Sequence, residues 1–317
     1  MGNAHASQHT DPAFIKAATC TRLGKNKKQA PQFQPSDGSR YEGSVNRAAV
    51  GFWGRWDMFA GFQALPGTIV PFQYDLLLVG LSFLISVCGA YVGLRWSRRM
   101  RGRDGRVDID RLLCAAASIG GGAVWSMHFI GMVAYHTPTH REFDMLLTLL
   151  SLVAVMVPVG AGLVIASRPQ GNRSGNAIKG GVLTGLGVVA MHYTGMAAIH
   201  SNTLFDWNPF IVGLSVLIAV VVSVIGLWLA TTVKSGPLQF GAAIVIGLAV
   251  CGMHYTGMSA GTMICTSPTY SPDLFAIEGG NVGYAVFAMT LVMLMVTLLI
   301  EASRSGRIAR AAEARTR

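Results

Sequence analysis

The sequence predicts an all-α fold, a polytopic membrane bundle of seven transmembrane helices with three two-helix repeats. Three observations carry this. From residue 75 onward, stretches of roughly 20 apolar residues recur seven times, the length that crosses a bilayer core as a helix. Basic residues crowd into alternate loops. A six-residue box beginning Met-His appears three times at nearly equal spacing.

The totals agree. Apolar residues make up 51% of the chain and charged ones 13%, with 38 glycines, a balance that suits a membrane protein better than a soluble one. A net charge of +10 would suggest nucleic acid in a soluble protein. Here the basic residues flank apolar spans, so topology and anionic lipid headgroups account for them, and no nucleic-acid partner is expected. Five cysteines at irregular spacing, without a CxxC pair, make no disulfide framework. Cys88, Cys114 and Cys251 lie inside apolar segments, Cys265 follows the sixth span and Cys20 is in the N-terminal region.

Residues 1–72 are read as a polar, basic N-terminal tail, expected to be disordered or wrongly included in the reading frame. It lacks the apolar core of a signal peptide, and Met58 is an alternative start. The membrane domain covers 73–265, an outer loop and the seventh helix cover 266–303, and 304–317 is a basic cytoplasmic tail. Spans are placed near 75–95, 112–135, 145–166, 178–200, 209–231, 238–261 and 282–301. Pro158 is expected to kink the third.

Loop charges set the orientation. Loop one holds Arg95, Arg98, Arg99, Arg101, Arg103, Arg106 and Arg111; loop three has Arg168, Arg173 and Lys179; loop five has Lys234. The intervening loops carry Arg141 among Glu142, Asp144, Asp206, Asp273 and Glu278. The positive-inside rule puts the first group and the C-terminus in the cytoplasm and the N-terminus outside.

The boxes are Met127-His128-Phe129-Ile130-Gly131-Met132, Met191-His192-Tyr193-Thr194-Gly195-Met196 and Met253-His254-Tyr255-Thr256-Gly257-Met258. A glycine stands seven residues before each histidine, at Gly121, Gly185 and Gly247, and Leu-Ser recurs in the odd spans at Leu81-Ser82, Leu150-Ser151 and Leu214-Ser215. Each unit is read as a helix running in, a basic loop and a box helix running out. Units of two spans enter the membrane in the same sense, so an axis along the membrane normal relates them and the histidines share one depth in the outer leaflet. At about 100° per residue, the glycine at −7, the histidine, the glycine at +3 and the methionine at +4 form one stripe.

Three imidazoles with up to six thioethers are a soft, neutral donor set, suited to copper and above all Cu(I). It places no bare carboxylate in the bilayer. Candidate metal ligands are His128, His192, His254, Met127, Met191, Met253, Met132, Met196 and Met258, with Cys251 as a further donor. A copper centre with an open position can take oxygen, carbon monoxide or nitric oxide. The plain alternative makes each box a packing seam with a hydrogen-bonded imidazole. His136 and His200, eight residues after their box histidines, are read as interfacial first and as an access route for metal second; His140 is a loop residue. Tyr193 and Tyr255 are read as packing or interfacial anchors before redox groups.

The boxes resemble those of the MHYT family of bacterial integral-membrane sensor domains, named for the tetrapeptide present intact at Met191–Thr194 and Met253–Thr256. The first copy departs as Met-His-Phe-Ile. The resemblance covers about residues 73–265. It implies a sensor in the bacterial cytoplasmic (inner) membrane, copper held by the box residues and a diatomic gas as the signal. Many relatives continue into cyclase, phosphodiesterase or kinase domains. Because this sequence stops soon after span seven, the expectation is a stand-alone sensor, not an enzyme and with no catalytic residues, that signals to a separate cytoplasmic protein. The rival functions are copper or small-solute transport and a purely structural bundle.

Overall fold

The computed structural model describes residues 65–98, 100–102, 105–266 and 276–316; in the last helix, side chains are described up to Arg304. The readings of a tail over residues 1–64 and of a start at Met58 lie outside the described residues.

Helix starts follow from local chemistry. Asp75, Asp108, Asp144, Asn172 and Asn208 each sit in extended backbone and accept a hydrogen bond from a first-turn amide, satisfying a donor that a helix N-terminus leaves orphaned. They open α1 (Leu76–Ser97), α2 (Ile109–Ala134), α3 (Met145–Ala166), α4 (Arg173–Ala197) and α5 (Pro209–Thr232). α6 (Gly236–Ser259) starts after Ser235 with Pro237 in its first turn, and α7 is Gly279–Thr316. α3 runs on through Pro158. The middle of α2, Ala117–Trp125, is π-helical, a wider turn that is frequent at functional sites.

α1 to α6 close a ring in chain order, each packing on the next and α6 returning to α1. α2 also meets α4 and α6 across the centre. α7 stands outside the ring and leans on α2, with a smaller contact to α1. Burial follows this plan: 83% of the apolar window of α2 is buried, against 17% for α5 and for α7. Large side chains such as Leu150, Leu217 and Leu299 face outward, as they do in a protein whose surroundings are lipid.

Among the described residues, six helices are long and apolar enough to cross a membrane, and the chain is a multi-pass membrane protein. The expected seventh, α4, falls short on composition. It has 25 residues, but Arg173, Lys179 and its many glycines dilute the hydropathy. Those glycines serve contact. A Cβ on Gly180 would lie 2.5 Å from the Gly162 carbonyl oxygen, one on Gly187 2.5 Å from Pro158 Cβ, and one on Gly185 2.6 Å from Val220 Cα. Backbones therefore approach closely along this helix, as small residues permit in membranes.

The all-α expectation needs one addition. Among the described residues, seven strands of two to five residues gather at the box end of the helices. β1 (Gln73–Tyr74) pairs with β2 (Tyr135–His136). β3 (Glu142–Asp144) stands between β4 (Ile199–His200) and β7 (Ala276–Glu278), and β5 (Thr203–Trp207) pairs with β6 (Gly261–Cys265), all antiparallel. Residues 65–72, assigned to the tail from sequence, join this lid: Gly67 and Val70 N–H donate to the Cys265 and Met263 carbonyls. At the opposite end, ion pairs tie α7 to the bundle. Arg95 of α1 meets Glu301 at 2.6 Å, and Arg304 meets Asp108 at 2.9 Å and also Asp110.

Candidate metal centre

Box one fills the α-helical end of α2, directly after the π segment, while boxes two and three occupy the last turns of α4 and α6. Because α2, α4 and α6 meet at the centre of the ring, their histidines converge. His128, His192 and His254 are each 0% exposed. The His128 Nδ1 lies 3.1 Å from His254 Nδ1 and 3.2 Å from His192 Nδ1, and one donor atom from each of the three falls within 4.8 Å of the others. Ring centroids are 5.0, 5.0 and 5.3 Å apart, with planes nearly perpendicular in every pair.

The opposite ring atoms explain the glycine at +3. Each Nε2 is buried with no hydrogen-bond partner among the described residues. Each also points at the +3 glycine of another box: His128 at Gly195, His192 at Gly257 and His254 at Gly131. A Cβ on Gly257 would stand 2.5 Å from His192 Nε2, and one on Gly131 2.6 Å from His254 Nε2. The three boxes thus interlock in a cycle, every histidine seated in its neighbour's glycine slot. The glycine at −7 does something else. Gly185 faces Val220 of α5, Gly247 faces Val87 of α1, and Gly121 faces Met293 of α7. The single stripe expected from the helical wheel is therefore two seams. Seven residues span about 10 Å along the axis, enough to change the neighbouring helix.

The box aromatics stand edge-on to their own histidines at 4.8 to 4.9 Å between centroids. Met127, Met132, Met191, Met196, Met253 and Met258 are all buried. Cys251 is not among the donors that converge. His136, His200 and His140 lie away from the triad, in and beside the strand lid: His136 pairs with Gln73, His200 pairs with Glu142, and His140 Nε2 is 3.2 Å from a Glu142 carboxylate oxygen. Arg141 closes the lid over box one. Its guanidinium donates to the Met132 and Tyr135 carbonyls at the C-terminal end of α2, where a cation suits the helix dipole. Burial, partly offset by Tyr135, pulls Arg141 down to about 10.

Two features escaped sequence reading. Trp125, four residues before Phe129, sends its Nε1–H to Ser151 at 3.0 Å. Ser126 hydrogen-bonds Thr290 of α7, a link that no motif announces. The repeated Leu-Ser was the available signal for the first.

The chain belongs to the MHYT family: its model, described as a bacterial signalling protein N-terminal repeat, matches residues 121–177, 185–243 and 247–312. Each match opens at the −7 glycine, Gly121, Gly185 or Gly247, so the family unit joins a box helix to the helix that follows it. Among similar proteins, the bifunctional diguanylate cyclase/cyclic di-GMP phosphodiesterase MucR of Pseudomonas aeruginosa is 34% identical over 72% of this chain and 34% of its own length. An uncharacterized signaling protein of Caulobacter vibrioides is 33% identical over 78% of this chain and 31% of its own. The cyclic di-GMP phosphodiesterase NbdA of Pseudomonas aeruginosa is 28% identical over 68% and 28%. No solved structure matches the chain.

The chain thus spans about a third of the length of the curated relatives it matches. The expectation that the protein is not an enzyme is overturned, because two of these relatives are named as cyclic di-GMP enzymes and the point where this sequence stops decides nothing. The shared region has a signalling role in the membrane.

Proposed function

We propose that this protein is a membrane sensor whose His128, His192 and His254 hold one copper ion through their Nδ1 atoms. The convergence of three fully buried imidazoles with Nδ1 atoms 3.1 and 3.2 Å apart carries the reading. Imidazole–metal bonds are about 2.0 Å long, so donors this close lie within reach of one ion. Hydrogen bonding alone fits less well. A neutral Nδ1 offers one lone pair or one hydrogen, yet His128 Nδ1 faces two partners. A central ion takes all three lone pairs together.

Copper is favoured over harder ions because the converging donors include no carboxylate. Ligation through Nδ1 leaves the hydrogen on Nε2, which abuts glycine and finds no acceptor among the described residues to raise ligand basicity. Weak neutral donors suit Cu(I). The buried box methionines are the candidate source of further thioether ligands. When bound, copper supplies an acceptor for oxygen, carbon monoxide or nitric oxide, and this chain's residues supply the dry enclosure.

All seven helices cross the membrane in this reading. α4 packs between α3 and α5, and its box must reach the depth of the other two. The arginine-rich loops and the C-terminus face the cytoplasm of a bacterial inner membrane and the strand lid faces outward. The signal leaves through α7, which rests on the box-one helix. The names of the relatives suggest the response it feeds, cyclic di-GMP turnover by a cytoplasmic signalling module. Elemental analysis of purified protein tests the site: near one copper per chain, lost in His128→Ala, His192→Ala and His254→Ala, is expected. Equally negligible copper in all four preparations would end the metal reading.

A further inference from the structure

The residues around the triad repeat a second pattern that no metal requires. Ser82 of α1, Ser151 of α3 and Ser215 of α5 are each at most 1% exposed. Each donates its own hydroxyl hydrogen one turn back, to the Val79, Thr148 and Val212 carbonyls at 2.7 to 2.8 Å. The serine oxygen is then left to accept, and in every case a donor from a box helix supplies the hydrogen. Tyr255 reaches Ser82 at 3.3 Å, Tyr193 reaches Ser215 at 2.9 Å and Trp125 Nε1 reaches Ser151 at 3.0 Å. Trp125 can only donate, which fixes the direction there.

The third bond shows how the pattern survives a changed residue. Box one has Phe129 where the others have tyrosine, so it has no hydroxyl to offer. Trp125, one turn earlier on the same face, makes the bond instead and packs on Phe129 at 5.0 Å between centroids. Phe129 then meets His128 at 4.9 Å, as Tyr193 meets His192 and Tyr255 meets His254. Each imidazole therefore has an aromatic wall on its flank and a glycine slot at Nε2. Only its Nδ1 faces the centre.

We infer that Ser82, Ser151 and Ser215 are positioning residues for the triad, fixing the box aromatics and through them the three imidazole planes. The inference rests on the copper reading for its purpose, since held rings preorganise a ligand set, but not for its geometry. A buried hydrogen bond that serves only the fold would lower stability when removed and leave the rings as they are.

The test is side-chain 15N spectroscopy of histidine-labelled full-length protein in nanodiscs, with and without Cu(I). Tyr193→Phe and Tyr255→Phe keep the ring and lose the hydroxyl. Ser215→Ala and Ser82→Ala remove the same bonds from the other side. Tyr193→Phe and Ser215→Ala are expected to shift the His192 resonances, Tyr255→Phe and Ser82→Ala those of His254, and Ser151→Ala those of His128. Histidine spectra that superimpose on wild type, or shifts shared equally by all three rings, would overturn the inference. Wild type that takes up no Cu(I) would refute the copper reading while the apo spectra still decide the positioning role.

Discussion

Gly257→Ala puts a methyl group into the slot that seats His192, and the structure gives the size of the conflict. The new Cβ would stand 2.5 Å from Nε2 and 3.1 Å from both Cδ2 and Cε1, whereas ordinary contact begins near 3.4 Å. The imidazole or the backbone must therefore yield by about 0.9 Å. The ring has little room to do so, with His128, His254 and Tyr193 against its other sides at centroid distances of 5.0, 5.3 and 4.9 Å. Overpacking of this kind costs about 1–3 kcal/mol. If the whole cost falls on the metal site, copper affinity drops roughly 5- to 150-fold. Gly252→Ala is the control on the same helix, since a Cβ there meets nothing within 4 Å. Thermal unfolding in nanodiscs and competitive Cu(I) titration read the two parts separately. Gly257→Ala that matches Gly252→Ala in both measurements would refute the slot, and with it the account of why glycine follows each box histidine at +3.

Three further predictions concern helix contacts away from the triad. Thr290→Val removes the buried bond between α7 and Ser126 of α2 at a cost of about 0.5–1.5 kcal/mol, since the Ser126 hydroxyl still donates to the Gly121 carbonyl. Faster hydrogen exchange along α7 with unchanged copper stoichiometry is expected, and unchanged exchange would remove this link from the signal route. Burial alone would raise the Asp108 carboxyl, but hydrogen bonds from Arg304 and the Arg111 amide outweigh it and hold the group below the usual carboxylate range. The sign is that of a depressed acid: its contribution to α7 docking is full above about pH 4 and lost only as pH falls further. Asp108→Asn, which can still cap α2, should loosen the cytoplasmic end of α7 at neutral pH by well under 1 kcal/mol, read by exchange or spin-label distance. Gly180→Ala should destabilise by about 1–3 kcal/mol, because the obstacle is the Gly162 carbonyl and not a mobile side chain; Gly241→Ala, in open space, is the thermal-unfolding comparison.

Helix positions were legible to within about five residues, because apolar length and basic loops are strong signals in membranes. The end of α7 is the exception: expected at 301 with a tail from 304, it runs helical to Thr316. α4 shows the cost of relying on hydropathy alone. Its glycines lower its apolar score and at the same time make it one of the most tightly packed helices, so composition and environment diverge. The meeting of His128, His192 and His254 was legible from repetition, which fixes relative depth. Which glycine receives which ring was not, because that depends on the direction in which box helices follow one another around the ring. The strands were missed because pieces of two to five residues between helices carry no usable alternation. The π-helical turn at Ala117–Trp125 had no sequence signature beyond three adjacent glycines. The exchange of Tyr for Trp125 as the donor to a ring serine was hidden because the two residues stand at different places relative to the box.

Of the three box helices, α2 is the one on which α7 mainly packs. Under the proposed route through α7, an event shared by three equivalent side chains would pass onward through a single lever, a balanced event made lopsided. Matched substitutions in the three boxes should then weaken the centre alike and disturb the output unequally. The copy spelled Met-His-Phe-Ile, on α2, is the one against which that lever rests.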